Sequence, residues 1–238
     1  MKRMLLVLVV GCHPSGDDYP VAPGGAGFGG GQPGMADAGS GGGDGGPMLL
    51  GRVCLMTDPR DQTSCATSGV SGLTVTLGTS VATTADDGTF AIAQPASSTV
   101  IWDITGSTIL ESIAPFAAQA VIPAMPIDLY GQLEGDNGVV PQAGQGAVMV
   151  RVVSGGVPLA GAAVTVSPPT VYGTFYDGST PATWTMVQTG AFGAAWMPGI
   201  TTGAAAITVT PPQGGTPVTI SNIPIGEAAL TFLTQEVP

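Results

Sequence analysis

The chain has 238 residues, only 9% of them charged, and a formal net charge of −11. Lys2 is its one lysine and His13 its one histidine. That excludes a nucleic-acid surface, which rests on Lys and Arg, and leaves the bulk of the chain without a histidine for Ser-His or Cys-His catalysis.

In chain order, the first feature is MKRMLLVLVVGC. Lys2 and Arg3 form a charged start, Met4 to Val10 a short apolar run, and small Gly11 precedes Cys12. This is the pattern of an export signal, and the run is far shorter than the roughly 20 residues of a spanning helix. Val9-Val10-Gly11-Cys12 resembles the lipobox of bacterial lipoproteins, with Val where Leu is favoured. The resemblance implies cleavage before Cys12, lipidation of its sulfur with diacylglycerol, and often a third acyl chain, palmitate for example, on the new amine. Two or three acyl chains anchor firmly where one does not, at about 0.8 kcal/mol per buried CH₂. An Asp after the cysteine retains enterobacterial members of that family in the inner membrane; His13 stands there, which implies the outer membrane. A plain secretory signal, or a start codon placed a few residues late, is the other reading. Removing Lys2 and Arg3 moves the formal charge from −11 to −13.

Residues 12–47 are expected to be the lipidated cysteine and a disordered tether, because the Gly-, Pro- and Asp-rich stretch cannot offset its own ordering entropy. Such a coil spans roughly 30–35 Å root-mean-square. Cys54 and Cys65 remain, and in an exported chain they are expected to form a disulfide. Two free thiols are the alternative; a zinc site is disfavoured because the one histidine is remote.

Beyond the tether no convincing amphipathic helix is read. Short Val-, Ile- and Thr-rich runs alternate with Gly and Pro turns, which predicts an all-β fold. Strands are expected at Leu50 to Leu55, Leu73 to Leu77, Thr89 to Ala93 and Thr99 to Ile104, with Ile127 to Tyr130 ending the unit. Ala85-Asp86-Asp87-Gly88 is the hairpin turn before Thr89. Pro115 marks Ser112 to Val121 as a loop. Expected core residues are Val53, Val75, Leu77, Phe90, Ile92 and Ile101.

These residues resemble a known module. Gly51-Val53, Gly72-Val75 and Thr84-Asp86-Asp87-Gly88-Phe90 follow the pattern of the carboxypeptidase regulatory-like domains, relatives of the CnaB and transthyretin-like sandwiches. The Thr84 to Asp86 spacing is one residue tight. The resemblance covers about Leu49 to Tyr130 and implies a β-sandwich, not peptidase activity. The Lys–Asn isopeptide bond of some CnaB domains is not expected here, because the chain's one lysine, Lys2, lies in the signal and the sandwich region has none.

A weaker second copy is read in Val148 to Val153, Pro158 to Val166, Thr189 to Gly193, Ala205 to Thr210, Val218 to Ile220 and Glu227 to Leu233. Its expected core is Val150, Val152, Val164, Val166, Ile207, Val209 and Phe232. The expected organisation is a signal peptide over 1–11, the tether over 12–47, a sandwich over 48–130, a linker over 131–146 and a second, divergent sandwich over 147–238. One larger sandwich is the alternative.

Function is less legible. Glu111, Glu134, Glu227 and Glu236 form no recognisable carboxylate pair, so no enzyme and no cofactor are expected. Asp58, Asp61, Asp86 and Asp87 are oxygen ligands of the kind calcium accepts, but they fit no EF-hand spacing and read as turn residues; no metal is expected. Tyr172, Phe175, Tyr176, Trp184 and Trp196 cluster in one segment, either as ligand-contacting rings or as core. The expectation is a non-enzymatic, lipid-anchored envelope protein acting as a structural, adhesive or partner-binding module. Its partner would be the membrane through the anchor and an unknown protein or glycan; the alternative is a glycan-binding module using those aromatics.

Overall fold

The computed structural model describes residues 47–116 and 120–238. The signal, Cys12 and most of the tether lie outside the described residues. Among the described residues the fold is all-β, with one short α-helix.

The first half contributes β1 (Met48–Leu55), β2 (Thr74–Leu77), β3 (Ser80–Thr83), β4 (Thr89–Ala93), β5 (Ile101–Thr105), β6 (Glu111–Pro115) and β7 (Ala120–Ala124). Helix α1 (Ile127–Asn137) follows. The second half contributes β8 (Gln145–Ser154), β9 (Val157–Pro158), β10 (Ala163–Ser167), β11 (Phe175–Asp177) and β12 (Trp184–Thr185). It ends with β13 (Ala194–Thr201), β14 (Gly203–Thr210), β15 (Val218–Ile225) and β16 (Ala229–Glu236).

Two small sheets, in the orders β4-β1-β7 and β10-β14-β15, accompany one long sheet in the order β12-β11-β13-β8-β16-β6-β5-β2-β3, with β9 paired to β8. The long sheet runs through both halves because β16 lies between them. It pairs in parallel with β6, Leu230 opposite Ser112, and with β8, Phe232 opposite Met149. The C-terminal strand thus joins what read as two separate sandwiches, and the described residues belong to one compact unit.

Side chains alternate across a strand, and β8 uses both faces. Val148, Val150 and Val152 pack with Val164, Ile207, Val209 and Ile223 of the second small sheet. Ala147 and Met149 join the other core, with Trp196, Tyr130, Phe232 and the N-terminal residues Val53, Phe90 and Ile122. A strand covered on both sides reads as a continuous apolar run, and Val148 to Val153 shows one broken only by half-buried Arg151.

Several expectations are corrected. Ile127 to Tyr130 is helix, not strand. The stretch 131–146, expected as a linker, holds most of α1 and the start of β8. Ser112 to Val121, read as a loop, begins in β6 and ends in β7, Pro115 closing β6. Ile101 is 37% exposed while its neighbour Trp102 is 1% exposed. The strand's inward parity is set by Leu77 opposite Trp102 and by Phe90, whose ring meets Trp102 edge to face at 5.7 Å; a one-residue slip inverts every side chain. Val166 is only half-buried. The other expected core residues are buried.

Candidate functional site

The expected cystine is present: Cys54 and Cys65 are bonded, with Cα atoms 5.0 Å apart. The loop it closes is anchored by its polar side chains. Arg60 pairs with Asp58 at 2.7 Å, donates to the Gly178 carbonyl at 3.0 Å, and stacks over the Phe192 ring at 4.6 Å. Burial raises the Asp58 carboxyl, but hydrogen bonds from Arg60 and its charge prevail and hold it below its ordinary value. Asp61 and Asp87 accept from Thr63 and Thr89 in their own turns. Among the described residues no three His, Cys, Asp or Glu side chains come together as a metal-holding group.

The aromatic cluster divides. Phe175, Tyr176 and Trp196 are 8%, 5% and 0% exposed. Their rings fill the two cores, so they offer no surface to a ligand, and that part of the ligand-contact expectation is corrected. Trp184 is half-buried, edge-on to Trp196 at 6.1 Å, with its Nε1–H donated to the Pro181 carbonyl at 3.0 Å. Tyr172 is half-buried and lines a cleft.

That cleft is the candidate site. It encloses about 300 Å³ between α1, the 139–142 segment, the start of β8, Tyr172 and the Pro198-Gly199 bend, at the lower end for ligand pockets. Its floor depends on α1. Pro126 precedes the helix with its φ already at −56°, Asp128 sits in the first turn, and Gly138 ends it at φ 65°. A fixed φ favours helix entry, an acid there complements the dipole, and a left-handed glycine closes the C-terminus. Tyr130 and Leu133, three apart, turn inward, and Tyr130 meets Trp196 edge to face at 6.0 Å.

The opposite wall is built on a bulge. The pairing of β13 with β8 shifts between Pro198 and Ile200, and Gly199 takes φ +74°. A Cβ there would stand 2.9 Å from Tyr172 Cδ2 and 3.3 Å from Gln145 Oε1, so only glycine lets that ring lie flat against the strand. The Tyr172 hydroxyl donates to the Val140 carbonyl at 2.7 Å and accepts from its N–H at 3.2 Å. This latches the 139–142 segment over β13.

One carboxylate, Glu134, stands among the polar groups of the cleft. Burial raises the Glu134 carboxyl, opposed by the nearby Tyr130 hydroxyl. Burial, followed by the Glu134 charge, pushes the Tyr130 phenol above its ordinary range. Gln145 Oε1 is buried and finds no donor among the described residues. Tyr130, Gln145 and Gly199 were not singled out from sequence as site residues, and Glu134 was weighed only as a carboxylate without a pair. The signal available was Pro126, the Tyr130–Leu133 spacing and Gly138, obscured by Gly131 and Gly135 inside the helix.

Among the described residues no helix is long and apolar enough to cross a membrane. No protein-family model matches the chain, and no curated protein matches it at a significant level. Among solved structures it is similar to a minor pilin of Streptococcus agalactiae, with 11% identity, 80% of this chain and 96% of that one covered, and a TM-score of 0.28. It is similar to the pilus 2b backbone protein of group B streptococcus, with 14% identity, coverage of 69% and 76%, and a TM-score of 0.26. It is also similar to a shaft pilin of Lactobacillus rhamnosus GG, with 9% identity, coverage of 80% and 97%, and a TM-score of 0.24. TM-scores this low carry no weight for function.

Proposed function

We propose that this chain is a non-enzymatic, lipid-anchored module of the bacterial cell envelope that engages a partner through the α1 cleft. Cys12 is the anchor in this reading, and the Cys54–Cys65 disulfide accords with passage through an oxidising compartment. The observation that carries the binding role is the cleft itself: a preformed, mostly apolar hollow with Tyr130 and Tyr172 in its wall and exposed Ile127 and Val140, at 46% and 65%, on its rim. Apolar hollows with few polar groups are the usual form of a recognition site. The glycan reading retains only Tyr172 and Trp184 of its five rings.

Photo-crosslinking tests it. A benzophenone side chain at Val140, on the rim, is expected to trap a partner in envelope extracts, and one at Val157, equally exposed elsewhere, is not. Gly131→Phe should abolish the Val140 adduct by filling the cleft; a Cβ at Gly131 meets nothing within 4 Å, and an unchanged unfolding midpoint checks that the fold is kept. Equal adducts from both sites, or none, would remove the binding role. Palmitate labelling tests the anchor separately: Cys12→Ala should lose the label, and equal labelling would remove the lipoprotein assignment.

A further inference from the structure

We infer that the occupant of the α1 cleft is a lysine side chain flanked by apolar residues, presented by a peptide segment of a partner protein. This rests on the cleft being the binding site and adds the chemistry it selects. The cleft holds one carboxylate, Glu134, half-buried on α1, and no arginine among its lining residues. The described region has three arginines, Arg52, Arg60 and Arg151, against twelve carboxylates.

Each arginine has its own place away from the cleft. Arg60 is paired with Asp58. Arg52 donates to the carbonyls of Asp87, Ala66 and Thr67. Arg151 lies six residues along β8 from Gln145, opposite Ala194, about 20 Å away at a strand's rise. Glu134 is therefore a partly desolvated anion without a cation from the described chain. Gln145 also lines the cleft, but its Oε1 is already sealed from solvent, which leaves the Glu134 carboxylate as the acceptor an occupant can meet.

A neutral apolar occupant would strip the remaining water from the Glu134 carboxylate without supplying a charge, and an anionic one would add repulsion; each costs binding. An ammonium supplies a charge and three donors and is attracted by the faces of tyrosine rings. Its four-carbon stem suits the apolar lining, and apolar flanks meet exposed Ile127 and Val140. A volume of about 300 Å³ admits one or two side chains, not a folded surface.

Calorimetric titration of the full-length protein with acetyl-Leu-Lys-Leu-amide, its norleucine and glutamate analogues, and free pentylamine tests this. The lysine peptide should bind about tenfold tighter than the norleucine peptide, with the glutamate peptide weakest. Glu134→Gln should bring the lysine and norleucine peptides within about twofold, and molar salt should shrink their difference. Equal affinity for lysine and norleucine, no binding of any peptide, or a lysine preference that survives Glu134→Gln would overturn the inference. Pentylamine binding as tightly as the peptide would overturn the peptide assignment in favour of a free amine. Loss of the Val140 adduct in Gly131→Phe, alongside peptides that fail to discriminate, would leave the binding role standing and sink only this inference.

Discussion

The side-chain amide of Gln62 donates to the Met149 carbonyl at 3.0 Å. The same nitrogen lies 3.3 Å from the Leu233 carbonyl, so a residue of the disulfide loop spans the neighbouring strands β8 and β16. Gln62 is 8% exposed. A loop fastened by a cystine at its base and by Gln62 and Arg60 at its tip ties the N-terminal half to the C-terminal half.

Gln62→Leu should therefore destabilise by about 1–3 kcal/mol, because it removes the donor and leaves buried carbonyls short of a partner. The midpoint of urea unfolding measures it. A midpoint unchanged from wild type would show that water replaces the amide.

Replacing both Cys54 and Cys65 by Ala should cost about 3 kcal/mol in the chain-entropy description of an 11-residue separation. The loss should be less than additive with Gln62→Leu, since both act through one loop. Unfolding of the two variants and their combination tests this; strict additivity would mean that the cystine and the loop tip act independently.

Asp177, 3% exposed, accepts from the N–H groups of Gly190 at 2.7 Å, Phe192 at 2.8 Å and Ala194 at 2.9 Å. It organises the turn entering β13. Asp177→Asn should cost about 3 kcal/mol, because an amide offers one acceptor oxygen and loses the charge that strengthens such bonds. Thermal unfolding reads the loss, and a shift no larger than that of a surface substitution would contradict it.

Burial, followed by the charge of Asp103, raises the Glu111 carboxyl. A raised carboxyl favours the protonated fold: its contribution is fully present below the ordinary value of 4.5 and is lost as pH rises through the folded value. Glu111→Gln should therefore raise stability at neutral pH and leave it nearly unchanged below pH 4.5. Unfolding at the two pH values checks the sign; a variant less stable at neutral pH would reverse it.

Gly199→Ala should both destabilise, by about 1–2 kcal/mol for a left-handed residue, and displace Tyr172 from the cleft wall. The amide signal of Val140, bonded to the Tyr172 hydroxyl, should shift in NMR spectra. An unmoved Val140 signal would show that the ring accommodates the methyl.

Much of the fold is legible locally. Alternation marks Leu73 to Leu77, and Thr89 to Ala93 emerges with the bounds of β4 because Asp87 and Gly88 make a turn that needs no distant partner. The site is less legible. Gly131 and Gly135 lower helix propensity by about 1 kcal/mol each relative to Ala, so α1 reads as a linker; its formation rests on Tyr130 and Leu133 docking into a core supplied by β8 and β13.

The strand-rich character, most inward residues and the expected pairing of Cys54 with Cys65 were legible from the residues alone, since each depends on a short window or on two cysteines 11 residues apart. Tertiary structure alone decided that Trp102 rather than Ile101 turns inward, that Trp196 is sealed while Tyr172 borders a hollow, and that β16 joins two halves into one sheet. Those outcomes depend on which face another element covers, and the covering element lies tens of residues away along the chain.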